Sequence, residues 1–456
     1  MTNISAKKRI WGWMMFDWAS QPYNTVLLTF VFGPYFAEMV TDLMLAQGMA
    51  APQAKAKAQE YWGWGLAIAG IVIGVLAPVL GAYADRSGRR MGWIKLFSLC
   101  YVLGASGLWW TAPDQFSIFW ALALFGLGYV GMEFATIFTN SMLPSLVERD
   151  QVGKISGSGF ALGYWGGLLA LAIVLLLFVD NAAGVTLLGA PPFLGLDGMA
   201  REGTRFAGPL TALWFILGMI PFFLWVRETP QGVKTGGLTD ALAELRQTVK
   251  SLPQRPSLFS FLSSSLFYRD ALNGLYSFGA IYAVGVLDWS ITMVGIFGVV
   301  SVITAAIFAY LGGRIDHITG PKPVIIGSIL LLLVVCFIVA LMNRQGILGL
   351  SFAPGSSLPD VIFFICGGVI GAAGGILQAS SRSMMVRHTT PEHSSEAFGL
   401  YGMSGKATAF LAPALIASAT HFSGSQRIGI MPLILLFAIG LFLLRWVQAE
   451  GEQDIT

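Results

Sequence analysis

Twelve apolar stretches run along the chain, and each is long enough to cross roughly 30 Å of hydrocarbon as a helix. They show no alternation typical of strands, and they are too long for the strands of a membrane barrel. The sequence therefore predicts an all-α membrane protein with twelve transmembrane helices. The predicted spans are Phe16–Met39, Tyr61–Tyr83, Trp93–Thr111, Phe116–Met142, Ile155–Val179, Phe206–Val226, Leu258–Val286, Met293–Leu311, Val324–Met342, Val361–Met385, Ala397–Ala419 and Ile428–Val447.

Composition supports lipid as the main solvent of this chain. Of its 456 residues, 55% are hydrophobic and 11% are charged, whereas soluble domains carry about 25% charged residues. This excludes a disordered chain and an ordinary cytosolic enzyme, and a net charge of +3 gives no reason to expect a nucleic-acid partner. The three cysteines lie in apolar runs without metal spacing, so we expect no disulfide framework, metal or cofactor.

The basic residues predict the orientation. An even number of spans places both termini on one side of the membrane. Of the 27 Lys and Arg residues, 19 lie in or next to loops on that side, 6 lie in loops on the other, and Arg269 and Lys406 lie inside predicted spans. By the positive-inside rule both termini are cytoplasmic, and the default location is the cell (inner) membrane of a bacterium.

A polar linker divides the spans into two sets of six. It runs from Arg227 to Ser257 and contains three prolines, and its middle, Asp240–Lys250, is predicted to form a short amphipathic helix. The predicted organisation is a six-helix half over 1–227, a linker over 228–257 and a second half over 258–456. Two six-helix halves are what the major facilitator fold requires.

A short motif follows span two and returns after span eight. Each copy reads G-x-x-x-D followed by a glycine and a base, and the second has one extra residue. The motif resembles the signature loop of major facilitator transporters. That resemblance implies a gate in which the aspartate sits at the N-terminus of a neighbouring helix, the eleventh, and the arginines pair with carboxylates. The alternative for Arg89 and Arg90 is orientation anchoring. The gate residues are Gly81, Asp85, Arg86, Gly88, Arg89, Arg90, Gly312, Asp316, Gly320 and Lys322.

Four predicted spans carry polar residues at helical spacing, which places each set on one helix face. These spans are the first, fourth, seventh and tenth, and in the major facilitator fold those helices line the central cavity. Intramembrane polar groups face a bundle interior or a cavity by default. The stripes are Asp17, Gln21 and Asn24; Glu133, Thr136 and Asn140; Asp270, Asn273 and Ser277; and Gln378, Ser381 and Arg382.

Individual polar residues allow more than one interpretation. Glu133 lies deepest and is the best candidate for carrying a coupling proton, the alternative being a structural pair with a base. Asp17 and Asp270 are placed near the cytoplasmic ends, where gating or helix capping competes with substrate binding. Arg382 could snorkel to the interface. Lys406 lies about ten residues into span eleven and requires a carboxylate partner or an anionic substrate group.

Proline and glycine features add weaker signals. Pro22 and Pro413 are expected to kink spans one and eleven. Tyr164 could reach a cavity, while the glycines beside it favour helix packing.

Several longer motifs resemble the vacuole-effluxer-like branch of the major facilitators, which includes an autophagy-related amino-acid effluxer of fungi and bacterial permeases. The resemblance spans nearly the whole chain. It departs at Ser20-Gln21-Pro22, where the family has Asn-Ser-Ala-like residues, and at the insertion in the second signature loop. The motifs are Phe16–Thr25, Leu28–Phe36, Asn140–Pro144, Ala161–Tyr164, Asp270–Asn273, Phe278–Tyr282, Gln378–Ser383 and Phe398–Thr408.

The resemblance implies a secondary transporter that moves a small solute by alternating access, with amino acids as the leading class and efflux suggested by the fungal members. As a hypothesis, Arg382 and Lys406 hold an anionic group, and Glu133, Asp17 or Asp270 carries a coupling proton. Neutral hydrogen bonds are expected from Asn24, Asn140, Asn273, Tyr276 and Gln378.

The expected partners are a small-molecule substrate, a coupling proton and the lipid bilayer, and we expect a monomer. Transport of a drug-like cation, a sugar or a lipid, and a non-transporting membrane sensor, stay open as alternatives. No nucleophile–base pair, metal cluster or phosphate loop at usable spacing indicates an enzyme.

Overall fold

The computed structural model describes residues 4–181, 184–228, 237–347, 349–353 and 355–452. Helices dominate this part of the chain, and a small antiparallel sheet follows α12, with the strand order β1-β2-β3. The strands are β1 Met342–Asn343, β2 Gly346–Ile347 and β3 Leu350–Ser351. The α-helices are α1 Ala6–Pro22, α2 Phe32–Ala46, α3 Ala51–Ser87, α4 Arg90–Gly107, α5 Ile118–Ser141, α6 Leu143–Leu146, α7 Val152–Leu177, α8 Glu202–Trp225, α9 Leu238–Ser251, α10 Pro256–Leu287, α11 Ile291–Thr319, α12 Pro321–Leu341, α13 Leu358–Arg387, α14 Ser394–Lys406, α15 Leu411–Ser423, α16 Gln426–Gly429 and α17 Met431–Leu443.

Ten helical segments in the described residues are long and apolar enough to cross a membrane, and they correspond to ten of the twelve predicted spans. The predicted seventh span corresponds to α10, which is 32 residues long. The predicted eleventh span corresponds to α14 and α15, which are separated by a turn at residues 407–410. The predicted twelve spans thus all have helical counterparts, one of them interrupted.

The predicted amphipathic helix in the linker is confirmed as α9. Its polar side chains are mostly exposed, whereas Ala241 is fully buried. Residues 229–236 of the predicted linker, which include Pro230, lie outside the described residues.

Contacts group the chain into two compact units that do not follow the predicted halves, because the division falls within α3, α5 and α7. The boundary between the six-helix halves therefore stays a prediction. Unit 1 comprises Met1–Ile73, Arg89–Thr139 and Leu162–Thr229, and unit 2 comprises Gly74–Gly88, Asn140–Ala161 and Pro230–Thr456.

In unit 1, the first predicted span changes helix type at a proline. Pro22 has no N–H to donate, which leaves the carbonyl of Trp18 without its helical partner. The indole N–H of Trp214 on α8 donates to that oxygen at 3.2 Å. Beyond the proline the chain continues as a π-helix, Tyr23–Phe30. Such segments occur frequently at functional sites, and this one contains Asn24 of the first polar stripe.

Unit 1 also contains a backbone-to-backbone helix crossing. A Cβ added at Gly104 of α4 would lie 2.6 Å from the Cα atom of Gly128 on α5. Small residues at such crossings allow membrane helices to approach closely, which increases their van der Waals contact. The crossing therefore depends on the absence of a side chain at position 104.

Replacing Gly104 with Leu is expected to destabilise the protein by about 1–3 kcal/mol, because the backbone of α5 must move away. The measurement is the apparent melting temperature of the purified protein in detergent. Gly126→Leu is the matched control, because Gly126 lies on α5 like Gly128 but a Cβ added there would meet no atom within 4 Å. Equal melting temperatures for the two variants would contradict a close crossing.

In unit 2, the most extensive helix contact joins α11 and α13. A Cβ added at Gly375 of α13 would lie 2.7 Å from the carbonyl oxygen of Ala305 on α11. The hydroxyl of Ser301 donates to the carbonyl of Gly367 at 3.0 Å across the same pair of helices. The helix α13, which carries a polar stripe, is therefore packed tightly against α11.

The C-terminal residues 447–452 fold back onto the start of α10 in unit 2. The Glu452 carboxylate accepts the N–H of Ser257 at 3.1 Å and the N–H of Leu258 at 3.2 Å. Both N–H groups belong to the first turn of α10 and have no intrahelical partner, so an anionic side chain there stabilises the helix. Arg387 at the end of α13 pairs with Glu450 at 3.0 Å.

His388 is buried beside this segment, just beyond α13. Its Nδ1 lies 2.9 Å from the carbonyl of Met384, and its Nε2 lies 2.7 Å from the hydroxyl of Ser257. That hydroxyl oxygen accepts the N–H of Gln448 at 2.8 Å and therefore donates its proton to Nε2. The geometry selects a neutral ring protonated on Nδ1. Burial lowers the pKa of His388 to about 4.

Stability is therefore expected to fall as the pH drops from about 6.5 towards 4. In this window the unfolded chain binds a proton that folded His388 does not, so the free energy of unfolding decreases by up to about 3 kcal/mol. The measurement is the melting temperature against pH for wild type and His388→Gln, which should lose part of the acid dependence. His421→Gln, at an exposed position, is the control, and an unchanged pH profile in His388→Gln would argue against this role.

Candidate functional site

The first signature loop caps a helix of unit 2. Asp85, near the end of α3, accepts the N–H of Ser395 at 3.0 Å through Oδ1 and the N–H of Glu396 at 2.8 Å through Oδ2. These two N–H groups are in the first turn of α14, where a helix has donors without intrahelical partners and a positive dipole end. The structure therefore places the motif aspartate at the start of the predicted eleventh span.

Glycines allow α3 and α14 to meet at this point. A Cβ added at Gly81 would collide with the backbone of Ser395, and one added at Gly399 would lie 2.8 Å from the carbonyl carbon of Ala77. A side chain at position 81 would therefore push Ser395 away from Asp85.

Burial raises the pKa of Glu396, whose side chain bonds Thr248 of α9.

The arginines of the first loop have different surroundings. In unit 2, Arg86 forms an ion pair with Glu244 of α9 at 2.7 Å and lies 3.8 Å from Asp240 of the same helix. In unit 1, Arg90 is buried at the start of α4, while Arg89 is exposed. The guanidinium of Arg86 thus holds the linker helix, and the orientation-anchor interpretation suits exposed Arg89.

Glu228 satisfies the start of α4 in unit 1. Its carboxylate accepts the N–H of Arg90 at 2.6 Å and the N–H of Met91 at 3.2 Å. The start of α4 is therefore capped by a carboxylate, as the start of α14 is by Asp85. Gly88 itself has φ +61, a left-handed conformation that favours glycine, and this turn ends α3.

The second signature loop makes different contacts. Asp316 is 1% exposed, and its Oδ1 accepts the hydroxyl proton of Ser383 on α13 at 3.2 Å. The same carboxylate lies against Gly153 in the first turn of α7, where a Cβ would collide with it. The two copies are thus alike in motif, but Asp316 bonds a side chain and Asp85 bonds backbone N–H groups.

The other residues of the second loop contact α13 and the C-terminal segment. A Cβ at Gly312 would lie 2.7 Å from Ile376, and Gly320 has φ +80 beside the guanidinium of Arg387. Lys322 donates to the carbonyl of Val447 at 2.6 Å. This loop therefore serves as an attachment point within unit 2.

Arg382 forms a fully buried contact to residues from the first sequence half that belong to unit 2. Its Nε donates to the hydroxyl of Ser156 at 2.9 Å, one Nη donates to the Ser156 carbonyl at 2.8 Å, and the other donates to Oδ1 of Asn140 at 3.1 Å. The guanidinium also lies 4.3 Å from the ring centroid of Phe160. Arg382 is 2% exposed, so snorkelling to the interface is wrong for this arrangement.

Two residues predicted to bind substrate, Arg382 and Asn140, therefore bind each other here. Their predicted role as substrate ligands stays a prediction and requires these contacts to open. The sequence contained no signal for Ser156 as the partner, because it carries no charge and lies in an apolar run.

The polar residues of unit 1 lie on neighbouring helices. A Cβ at Gly163 of α7 would lie 3.4 Å from the Cβ of Asp17, and one at Gly167 would lie 3.0 Å from Cγ of Gln21. These glycines bring the first stripe close to the helix that carries Tyr164. The half-buried residues Asp17, Gln21, Asn24, Glu133 and Tyr164 all belong to this unit.

The polar residues of unit 2 include an exposed group on α10. Asn273 and Tyr276 are exposed on one face, and the hydroxyl of Tyr276 lies against Gly374 of α13. Gln378, one turn further along α13, donates to the Gly374 carbonyl at 3.5 Å. Lys406 is the last residue of α14 and lies near Gly74 of α3. A Cβ added at Gly74 would be 3.8 Å from the Cβ of Lys406.

Asp270 differs from the other stripe residues because it is only 3% exposed. Its Oδ2 accepts the N–H of Ala412, in the first turn of α15, at 2.8 Å. The helix α10 begins at Pro256, fourteen residues before Asp270. Asp270 is therefore a capping group in the middle of its own helix. The placement of Asp17 and Asp270 near the cytoplasmic ends of their spans stays a prediction. In the described part of the chain, no three potential ligand side chains are grouped to hold a metal ion.

The architecture matches solved major facilitator structures. The chain superposes on XylE, described as a proton:xylose symporter, with a TM-score of 0.72 and 12% identity, covering 98% of this chain and 99% of that chain. The protein therefore has the major facilitator fold of an integral multi-pass membrane protein.

The chain belongs to the family described as vacuole effluxer Atg22 like, whose model matches residues 61–454. It is 24% identical over 446 residues to the uncharacterised MFS-type transporter YxiO of Bacillus subtilis, covering 98% of this chain and 96% of YxiO. It is 23% identical over 309 residues to autophagy-related protein 22 of Cryptococcus neoformans, covering 65% of this chain and 50% of that protein. The chain thus spans about half the length of this fungal relative. The protein is a secondary transporter and not an enzyme.

Removing the charge of Asp85 is expected to loosen the start of α14. Asp85→Asn should accelerate amide hydrogen exchange in a peptide covering residues 394–398 by about fivefold to tenfold, because a helix cap contributes about 1 kcal/mol. The measurement is hydrogen–deuterium exchange with mass spectrometry. Asp150→Asn is the control, since the exposed carboxylate of Asp150 bonds its neighbour Gln151. Identical exchange in the two variants would contradict a capping role.

Proposed function

We propose that this transporter moves amino acids across the membrane by alternating access. The observation that supports this substrate class is the mixture of charges in the predicted spans. Lys406 supplies a cation in unit 2, and Asn273 and Tyr276 of the same unit supply exposed amide and hydroxyl groups. Asp17 and Glu133 supply carboxylates in unit 1. A zwitterion requires both signs of charge, whereas a sugar requires neither.

The proposed gate consists of the Asp85 and Arg382 contacts in unit 2. Each joins a residue of one sequence half to a residue of the other through hydrogen bonds. Hydrogen bonds between neutral and charged polar groups can be exchanged for bonds to water when a cavity opens, so such contacts suit a reversible closure. We place this gate on the cytoplasmic side, where the basic loops lie.

A proton is the proposed coupling ion. The polar stripes of the predicted spans carry three carboxylates, Asp17, Glu133 and Asp270, and each could bind and release a proton during a cycle. The relative XylE is described as a proton symporter, which supports the same ion here. The related bacterial protein supports the cell membrane as the location, with both termini cytoplasmic and a monomer as the working unit. Efflux is the proposed direction.

The test is uptake of a panel of labelled amino acids into proteoliposomes, with and without a pH gradient. Lys406→Ala is expected to reduce uptake at least tenfold, because an unpaired substrate carboxylate in the site costs more than about 1.4 kcal/mol. Lys154→Ala is the control, since Lys154 is an exposed lysine of unit 2.

Wild-type uptake no greater than that of Lys406→Ala for every amino acid would overturn the proposed substrate class. Accumulation of a sugar or a cationic dye in the same vesicles, abolished by Lys406→Ala, would replace it.

A further inference from the structure

The predicted eleventh span is interrupted inside unit 2. The helix α14 ends at Lys406, α15 begins at Leu411, and residues 407–410 form turns. Pro413 follows in the first turn of α15, where its missing N–H costs nothing. An interruption at this depth exposes the negative dipole end of one half-helix and the positive dipole end of the other. Both ends require partners in a low-dielectric environment.

Two adjacent residues of α10 contact the two half-helices on either side of the interruption. Arg269 donates to the carbonyl of Tyr401, in the last turns of α14, at 2.8 Å, and its guanidinium lies 4.3 Å from the ring centroid of Tyr401. Asp270 accepts the N–H of Ala412 in α15 at 2.8 Å. The cation thus meets the negative end of α14, and the anion meets the positive end of α15. We name these four residues, Arg269, Asp270, Tyr401 and Ala412, the helix clamp.

The guanidinium of Arg269 fits into the helix clamp because residue 405 is a glycine. A Cβ at Gly405 would lie 2.5 Å from Nη2 of Arg269. Any side chain at position 405 would therefore displace the guanidinium from Tyr401. The clamp is a specific arrangement and not an incidental contact of two long side chains.

Asp270 has one oxygen that the clamp does not use. Its Oδ2 holds Ala412, while its Oδ1 is buried and has no hydrogen-bond partner among the described residues. A charged carboxylate that is 3% exposed and half satisfied is expensive, whereas a protonated one leaves the acceptor Oδ2 in place. The unpartnered Oδ1 is therefore a place where a proton can bind without any other rearrangement.

The ionisable groups around Asp270 bear on whether its carboxylate is charged or protonated. The helices packed against α10 carry few ionisable groups near its middle, and α17 carries none. Arg382 of α13 is bound to Ser156 and Asn140. The other groups on α10 and the elements that contact it include Tyr268 and Arg269 on α10 itself and Tyr401 and Lys406 on α14. Farther along these elements lie Glu396 at the start of α14, His421 at the far end of α15, Arg427 on α16 and Arg445 after α17.

We propose that Asp270 is a proton-binding site whose occupancy controls the interruption of the eleventh span. The charged carboxylate fixes the N-terminus of α15 against α10. The proton on Oδ1 removes the negative charge that faces the positive end of α15, which weakens the clamp and lets the two half-helices move. This inference rests on the proposed coupling to protons and identifies the carboxylate that does it.

The clamp also connects the proton to the proposed gate. The helix α14 is held by Asp85 at its first turn and by Arg269 near its last turn. It is 13 residues long, so it moves as one rigid element. Movement of its C-terminal end therefore changes the geometry of the hydrogen bonds that Asp85 accepts at its N-terminal end.

The test follows the mobility of a spin label beside the interruption. Phe410 is 69% exposed, and Phe410→Cys in a background of Cys100→Ser, Cys336→Ser and Cys366→Ser accepts a nitroxide label. The line shape in proteoliposomes without any substrate is recorded from pH 5 to pH 8. We expect a single-proton transition with a mobile label at low pH, and loss of that transition in Asp270→Asn.

Two matched variants make the outcome decisive. Asp288→Asn, at the other end of α10, should keep the transition, because Asp288 has φ +55 and asparagine tolerates this conformation. Asp270→Glu should keep a transition at a shifted pH, which shows that the position tolerates substitution. A label at Phe422→Cys, also on α15, reports general unfolding.

A transition that persists unchanged in Asp270→Asn, or a wild-type line shape that is flat across the range, would overturn the proposal. The experiment contains no amino acid, so its failure leaves the proposed substrate class intact. Failure of the uptake experiment likewise leaves the proton site standing.

Discussion

Backbone hydrogen bonding in lipid is the constraint on which this structure depends. A helix satisfies its own N–H and C=O groups, so a chain with few charged residues can span a bilayer only where its helices are continuous or repaired. Two defects in the helical hydrogen bonding of the spans are repaired by side chains, one at Pro22 and one at the interruption of the eleventh span. The indole of Trp214 bonds the carbonyl that Pro22 leaves free, and the carboxylate of Asp270 bonds the first turn of α15. Each repair ties the interrupted span to a second helix, so a local defect becomes a long-range contact.

The two signature loops illustrate how one motif serves two purposes. Asp85 bonds backbone N–H groups of a helix start, whereas Asp316 bonds the hydroxyl of Ser383 and packs on Gly153. Backbone N–H groups at a helix terminus cannot follow another partner without movement of the helix. The Asp85 contact therefore depends on the position of α14. The Asp316 contact stabilises packing between α11, α13 and the start of α7. The sequence repeat predicted the equivalence of the motifs but not this division of roles.

Much of the fold follows from the sequence, and the precise contacts of the site do not. Apolar runs predicted the helices because their length must match the bilayer, and spacing predicted the polar stripes and α9. Pro413 predicted a kink in the eleventh span, but the break over residues 407–410 was not predicted, since these residues are apolar or small and resemble any helix interior. The pairing of Arg382 with Ser156 and Asn140 depends on the relative rotation and register of three helices. Neither property is encoded in a single-helix pattern.

The contacts of Arg382 reconcile its predicted and observed roles. Ser156 and Asn140 supply neutral oxygens to the donors of the guanidinium. A carboxylate that reached these donors would form charge-assisted hydrogen bonds, which are about twice as strong as neutral ones. An anionic group therefore competes with the closed arrangement for one set of donors. In a transporter such competition links binding to opening, because a ligand shifts an equilibrium only by binding the two states unequally. In the proposed gate, Arg382 therefore holds the closed arrangement in competition with an anionic substrate, which binds the same donors once the gate opens.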